Sequence, residues 1–305
     1  MLIYAKSAFV KNNIDIKMDI GCDGIEIQLL GELINGNFGS YFKANDVFDI
    51  KGLEQYPVKV VHCPLLWYCG LPDVNIESML DKNSELFNQV CYIANYYGEV
   101  QNSDIIVVVH TEMSVKDMRL IGLLDKVVSL IKDMLNRYNF IEIAIENVIP
   151  VKDATGTDVH LCNNFHFDNI ELVEYIKEKL NTDRVGTCLD TCHAMISAKY
   201  IERIISLMDC TNYSDYSLDS YFKVNKEHIK LIHLSDFKGD GYSKGMHGVK
   251  FSSINKEKLK NIVDLYDKYK YNCPVTLEVS ESDYLVCDNY RETRETLLSV
   301  LKDSR

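Results

Sequence analysis

Short apolar runs rich in Val, Ile and Leu alternate along the chain with longer stretches whose apolar residues recur at helical spacing. Eight runs suit strands, at 2–8, 24–30, 58–62, 104–110, 141–146, 184–190, 229–234 and 274–278. Helical periodicity covers 76–97, 115–138, 168–180, 193–208 and 254–269, with a first helix within 10–19 and a last one at 290–301. Strands separated by crossover helices pair in parallel, and such crossovers are right-handed. Eight of them predict a closed (β/α)8 barrel, the TIM barrel, as a single domain over 1–305. The two longest connections, 31–57 and 149–167, follow strand C-termini and overhang the C-terminal mouth. The stretch 211–222 reads as an ordered loop face.

Composition narrows this picture. A chain of 305 residues that is 47% hydrophobic buries a large core without covalent staples. No apolar run is long enough to span a membrane, and the first ten residues lack the pattern of a signal peptide, so the expected location is cytoplasmic. The ten cysteines are irregularly spaced with no Cys-x-x-Cys pair, which predicts reduced thiols. A net charge of −12 opposes broad attraction to nucleic acid.

The candidate chemistry lies at the strand ends. His62 ends strand three, His110 strand four, Glu146 strand five, Asp190 strand six and Glu278 strand eight, and His233 lies near the end of strand seven. In a barrel these ends converge on one mouth. Imidazole nitrogens and carboxylate oxygens together suit a divalent ion, Zn or Mn first, and a dication offsets the mutual repulsion of clustered acids. Period 2 turns Cys188 and Gly186 into the barrel below Asp190, so Cys188 is expected to pack. Glu142 falls below Glu146, and Arg184 on the neighbouring strand is its expected ion-pair partner.

Other residues carry weaker expectations. Trp67 and Tyr68, just past His62, could form a stacking wall. Lys238 could offer a point charge to a phosphate or carboxylate. His160 and His166 lie on the connection over the mouth, whereas His228 precedes strand seven at the opposite end and is expected to be inert.

The run Gly186-Thr187-Cys188-Leu189-Asp190-Thr191-Cys192-His193-Ala194 resembles the Asp-Thr-Cys-His motif of the endonuclease IV group. His233-Leu234-Ser235-Asp236-Phe237-Lys238-Gly239, Ile145-Glu146-Asn147 and Thr276-Leu277-Glu278-Val279 resemble motifs of the wider superfamily of xylose-isomerase-like barrels. The resemblance implies one metal on Glu146, Asp190, His233 and Glu278. In the endonuclease branch it implies a second on His62 and His110, bridged by Glu146, and a third on His193 and His247. In the isomerase branch His193 touches substrate instead.

Two departures matter. The endonuclease pattern completes its third metal with Asp-x-His, but Gly245 stands two before His247, leaving Asp236 or Asp240 as the acids nearby. The segment 31–57 carries only Lys43 and Lys51 against four acids, which suits a lid over a small polar molecule better than a phosphate-contacting loop. The segment 239–251, ending in His-Gly-x-x-Phe, looks more like the isomerase branch. These features favour a metal-dependent isomerase or epimerase acting on a sugar or polyol, with Glu146 and Glu278 shuttling a proton and Trp67, Lys238 and His193 against the substrate. The alternative is an apurinic/apyrimidinic endonuclease, with DNA as partner and one to three divalent ions.

Overall fold

The computed structural model describes residues 1–29, 50–64, 75–80, 84–149, 166–207, 216–239 and 246–303. Eight parallel strands close a barrel in chain order: β1 Ile3–Ala8, β2 Gly24–Gln28, β3 Val58–His62, β4 Ile105–His110, β5 Ile141–Glu146, β6 Val185–Asp190, β7 Ile229–Leu234 and β8 Val275–Leu277. Around them run α1 Lys11–Ile20, α2 Ser84–Gln101, α3 Val115–Leu120, α4 Leu124–Arg137, α5 His166–Leu180, α6 Thr191–Leu207, α7 Leu218–Asn225, α8 Lys256–Lys268 and α9 Asp288–Asp303. Among the described residues no helix is long and apolar enough to cross a membrane.

Strand alternation builds two cores. Ile25, Ile27, Val61, Val107, Val109, Ile143, Ile145, Val185, Leu189 and Ile232 face outward and pack under the helices. Fully burying a side chain of this size is worth about 1.5–3 kcal/mol. The opposite parity faces inward, where Tyr4, Val60, Ile106, Val108, Ala144, Cys188 and Leu231 form a separate apolar plug. Two residues further along those same strands stand Lys6, His62, His110, Glu146, Asp190 and His233, so the plug is the floor of a polar layer at the C-terminal mouth.

Several expectations are corrected. The helix expected over 115–138 is two helices, because Gly122 adopts φ +69 between α3 and α4. The helix expected over 76–97 begins only at Ser84, after a 3-10 turn at Ser78–Leu80. The expected loop face at 211–222 ends inside α7, whose start is fixed by the Ser217 side chain accepting from the Ser220 amide. Glu142 pairs with Lys230 at 2.7 Å, not with Arg184. Arg184 instead donates to the carbonyls of Leu135 (2.8 Å), Ile141 (3.0 Å) and Tyr138. It lies beside the C-terminal end of α4, whose last carbonyls have no partner within the helix.

Most of the two long connections falls outside the described residues, as do Trp67, Tyr68, His160 and Asp240. The cysteines described are all free thiols.

Candidate metal centre

Asp190 is set by the helix that follows it. Its Oδ1 accepts from the His193 amide at 2.7 Å, capping the first turn of α6, where the helix N-terminus favours negative charge. Its other oxygen, Oδ2, is buried with no hydrogen-bond partner. The Asp-Thr-Cys-His run is thus a cap whose second oxygen is left over for the cluster. Asn147 fastens this corner to β5, since its side chain accepts from the Asp190 amide (2.8 Å) and donates to the Asp190 carbonyl (3.0 Å). The Asn147 carbonyl lies 2.7 Å from His193 Nδ1 and accepts from it, leaving Nε2 bare. That nitrogen meets His247 Nε2 at 2.9 Å, with the two rings stacked. One ring must donate to the other unless a cation takes both lone pairs. His247 reaches this place from a turn in which Gly248 holds φ +68.

Glu146 is the hub. Its Oε2 is 3.2 Å from both His62 Nε2 and His110 Nε2, and its Oε1 is 3.3 Å from His233 Nδ1. His62 Nδ1 donates to the Cys63 carbonyl at 2.8 Å, which turns its Nε2 toward Glu146. His233 Nδ1 lies 2.7 Å from Glu278 Oε2, yet neither atom has hydrogen-bond geometry to a partner, and both are buried. Orphaned donor atoms crowded this closely fit a divalent ion, which satisfies them together. Among the described residues five sets of ligand atoms each lie within 4.8 Å of one another, three of them drawn wholly from the expected ligands: Glu146, Asp190, His233 and Glu278; His62, His110 and Glu146; and Asp190, His193 and His247. The ligand set implied by the sequence is therefore assembled at one mouth.

The charges follow the geometry. Burial alone would raise Glu146, but the His233 and His110 imidazoles hold it well below the usual carboxylate range. Burial also opposes ionisation of Glu278, and the Lys6 ammonium and His233 hold it well down. Asp190 is pushed up to about 7 by burial and by the Glu278 and Glu146 charges. Burial lowers His62, His193 and His247, keeping them neutral and able to ligate. His233 is raised despite its burial by Cys188 and by the carboxylates of Glu26, Glu146 and Glu278 around it.

Two residues of this layer are absent from the sequence reading. Lys6 and Glu26 face each other across β1 and β2, with Lys6 Nζ 2.6 Å from Glu278 Oε1 and 3.4 Å from Glu26 Oε1. Glu26 Oε2 is 3.0 Å from His233 Nε2. The signal was available: both are charged residues in the middle of apolar strand runs, in register with the inward-facing parity. Attention to strand ends alone passes over them.

The remaining candidates divide. Cys188 belongs to the apolar plug, and burial raises its thiol, so it packs as expected, although its sulfur also borders Glu146 and His233. Asp236 does not replace the missing acid, because Lys258 (2.9 Å) and Asn255 (2.7 Å) hold its carboxylate. Asp190 stands with His193 and His247 instead. Lys238 is exposed on the connection after β7, and His166 begins α5. His228 meets Glu174 at 3.2 Å, away from the mouth.

The comparisons with known proteins agree with this architecture. The model of a family described as "Xylose isomerase-like TIM barrel" matches residues 18–303. A protein of Metamycoplasma arthritidis named "Probable endonuclease 4" is 31% identical over 183 residues, covering 58% of this chain and 56% of that protein. The chain spans about half the length of the curated relatives it matches. Among solved structures, a D-tagatose 3-epimerase-like protein superposes over 100% of both chains with a TM-score of 0.60 at 16% identity. A D-allulose 3-epimerase from Methylomonas sp. gives 0.57 at 11% identity, over 100% of this chain and 97% of that one. At such identities the likeness to solved structures is one of fold alone. With a family model matched over nearly its whole length, the chain belongs to the xylose isomerase-like TIM barrel family.

Proposed function

We propose that this protein is a metal-dependent phosphodiesterase that incises DNA at abasic sites. The observation that carries the reading is the double engagement of Glu146. One oxygen faces His62 and His110 equally, and the other faces His233. A single ion on Glu146, Asp190, His233 and Glu278 has no use for His62 and His110, whereas neighbouring ions sharing a carboxylate use all six. The 31% identical relative named "Probable endonuclease 4" supports the same direction.

Bound divalent ions supply Lewis-acid stabilisation of charge on phosphoryl oxygens and make water a stronger acid. The side chains divide the remaining work. Glu146, 1% exposed and held ionised among three imidazoles, serves to hold and not to transfer. Glu278, with 18% of its side chain exposed against 1% for Glu146, is the more open carboxylate of the set and the one we assign to proton transfer. Asn147 and the α6 cap keep Asp190 and His193 in place during that transfer.

The second reading, an isomerase or epimerase of a sugar or polyol, draws on a different observation. The set Glu146, Asp190, His233 and Glu278 is complete without the others, the acid before His247 is replaced by Gly245, and net charge is −12. In that reaction Glu146 would have to reach substrate from between His62, His110 and His233.

Incision of a duplex carrying one abasic site separates the two. With Zn- or Mn-loaded protein we expect metal-dependent cutting that chelation removes and that falls at least about a thousandfold in Glu278→Gln, the cost of losing a proton acceptor and a ligand together. Metal-loaded protein that leaves the duplex intact but epimerises a ketose would establish the second reading.

A further inference from the structure

Four charged side chains close a ring across the barrel seam: Lys6 on β1, Glu26 on β2, His233 on β7 and Glu278 after β8. Lys6 Nζ contacts Glu278 Oε1 at 2.6 Å and Glu26 Oε1 at 3.4 Å. Glu26 Oε2 contacts His233 Nε2 at 3.0 Å, and His233 Nδ1 contacts Glu278 Oε2 at 2.7 Å. Glu26 and His233 have no exposed surface, and the Lys6 side chain is 10% exposed. A buried carboxylate is costly unless paired and hydrogen-bonded. Here both partners of Glu26 lead back to the metal set.

The two nitrogens of His233 have separate surroundings. Nδ1 faces Glu146 and Glu278, while Nε2 is turned to Glu26. An imidazole that offers a lone pair at Nδ1 carries its proton at Nε2, and an acceptor there fixes both the tautomer and the ring plane. Glu26 could itself be read as a ligand, since Glu26, His62 and His233 lie close enough together to hold an ion. However, the oxygen that engages His233 does so on the nitrogen turned away from Glu278, so Glu26 and His233 Nδ1 do not address one ion.

We propose that Glu26 and Lys6 are a positioning pair, in which Glu26 holds His233 with Nδ1 toward the ion and Lys6 holds Glu26 and Glu278 in their places. This rests on the reading of Glu146, Asp190, His233 and Glu278 as ligands of a divalent ion. The pair touches no ion and accounts for two charges that the ligand set does not use.

Titration of Co2+ into the metal-free protein, followed by visible absorption and by competition with a chelator, tests the pair. Glu26→Ala is expected to weaken the tighter Co2+ site about 10–100-fold, the usual cost of losing such a partner, and to alter its absorption bands. Glu26→Gln, which keeps an acceptor oxygen, should recover part of that loss. Lys6→Met separates positioning from charge. Removal of a positive charge by itself tightens a cation site, whereas loss of positioning weakens it, and we expect weakening of about tenfold. Tighter binding in Lys6→Met, or unchanged affinity and bands in Glu26→Ala, would overturn the proposal while the metal reading stands. A wild-type protein that takes up no Co2+ would overturn both.

If these variants do not fold, the wild-type protein still decides the matter. Long-range 15N–1H correlation of His233 in the Zn-loaded form should show the proton on Nε2. A proton on Nδ1 would contradict the proposal.

Discussion

At the scale of single residues, the mouth holds imidazoles in two electrostatic situations. His62, His193 and His247 are lowered by burial, so they present lone pairs without first losing a proton. His233 is raised by its acidic neighbours, and Asp190 is pushed up to about 7. In metal-free protein near neutral pH these two groups carry protons that an incoming cation must displace. The sign follows: affinity rises as pH climbs through 7 and falls below it, more steeply once the lowered histidines also begin to protonate. We expect Zn2+ or Co2+ affinity at least about tenfold weaker at pH 6 than at pH 8, accompanied by measurable proton release in calorimetry across buffers of different ionisation heat. An affinity flat over that range would mean that the cluster does not ligate through these atoms.

At the scale of elements, the barrel is legible because short, mostly apolar runs, richest in Val and Ile at β3 and β4, recur between stretches of helical period. The convergence of the candidate ligands at the ends of β3 to β8 is legible for the same reason, since strand parity places them without knowledge of the loops. What sequence alone did not reveal depends on contacts between elements. Arg184 takes backbone carbonyls at the end of α4 and Glu142 takes Lys230, a choice made by how α4 docks beside β6. Lys6 and Glu26 stand in the middle of β1 and β2 and not at their ends, although their parity matches the inward set. The break at Gly122 and the helix α7 turn on a left-handed residue and a serine cap, local signals that periodicity averages away.

Arg184→Met tests the element scale directly. It removes charged donors from three carbonyls and should cost about 1–3 kcal/mol in chemical denaturation, with metal content unchanged. An equal stability would show that water serves those carbonyls as well. Gly186→Ala should be harmful for a different reason: a Cβ there would meet the His228 carbonyl at 2.3 Å, beside the register shift between β6 and β7. Backbone cannot yield as a side chain does, so we expect a loss of about 1–3 kcal/mol.

At the scale of the whole molecule, one barrel mouth gathers eight candidate ligand side chains from six strand ends and two following segments, all supported on an apolar floor. Fold does not choose among the chemistries such mouths perform. The number of ions does, because isomerisation needs the four-ligand set alone, whereas Glu146 shared between His62, His110 and His233 makes sense with neighbouring ions. The measurement that bears most directly on this is anomalous diffraction from crystals of the Zn-loaded protein, collected on both sides of the zinc edge. The account predicts at least two ions per chain, one among Glu146, Asp190, His233 and Glu278 and another among His62, His110 and Glu146. A single ion in the four-ligand set, with His62 and His110 bare at saturating zinc, would contradict it.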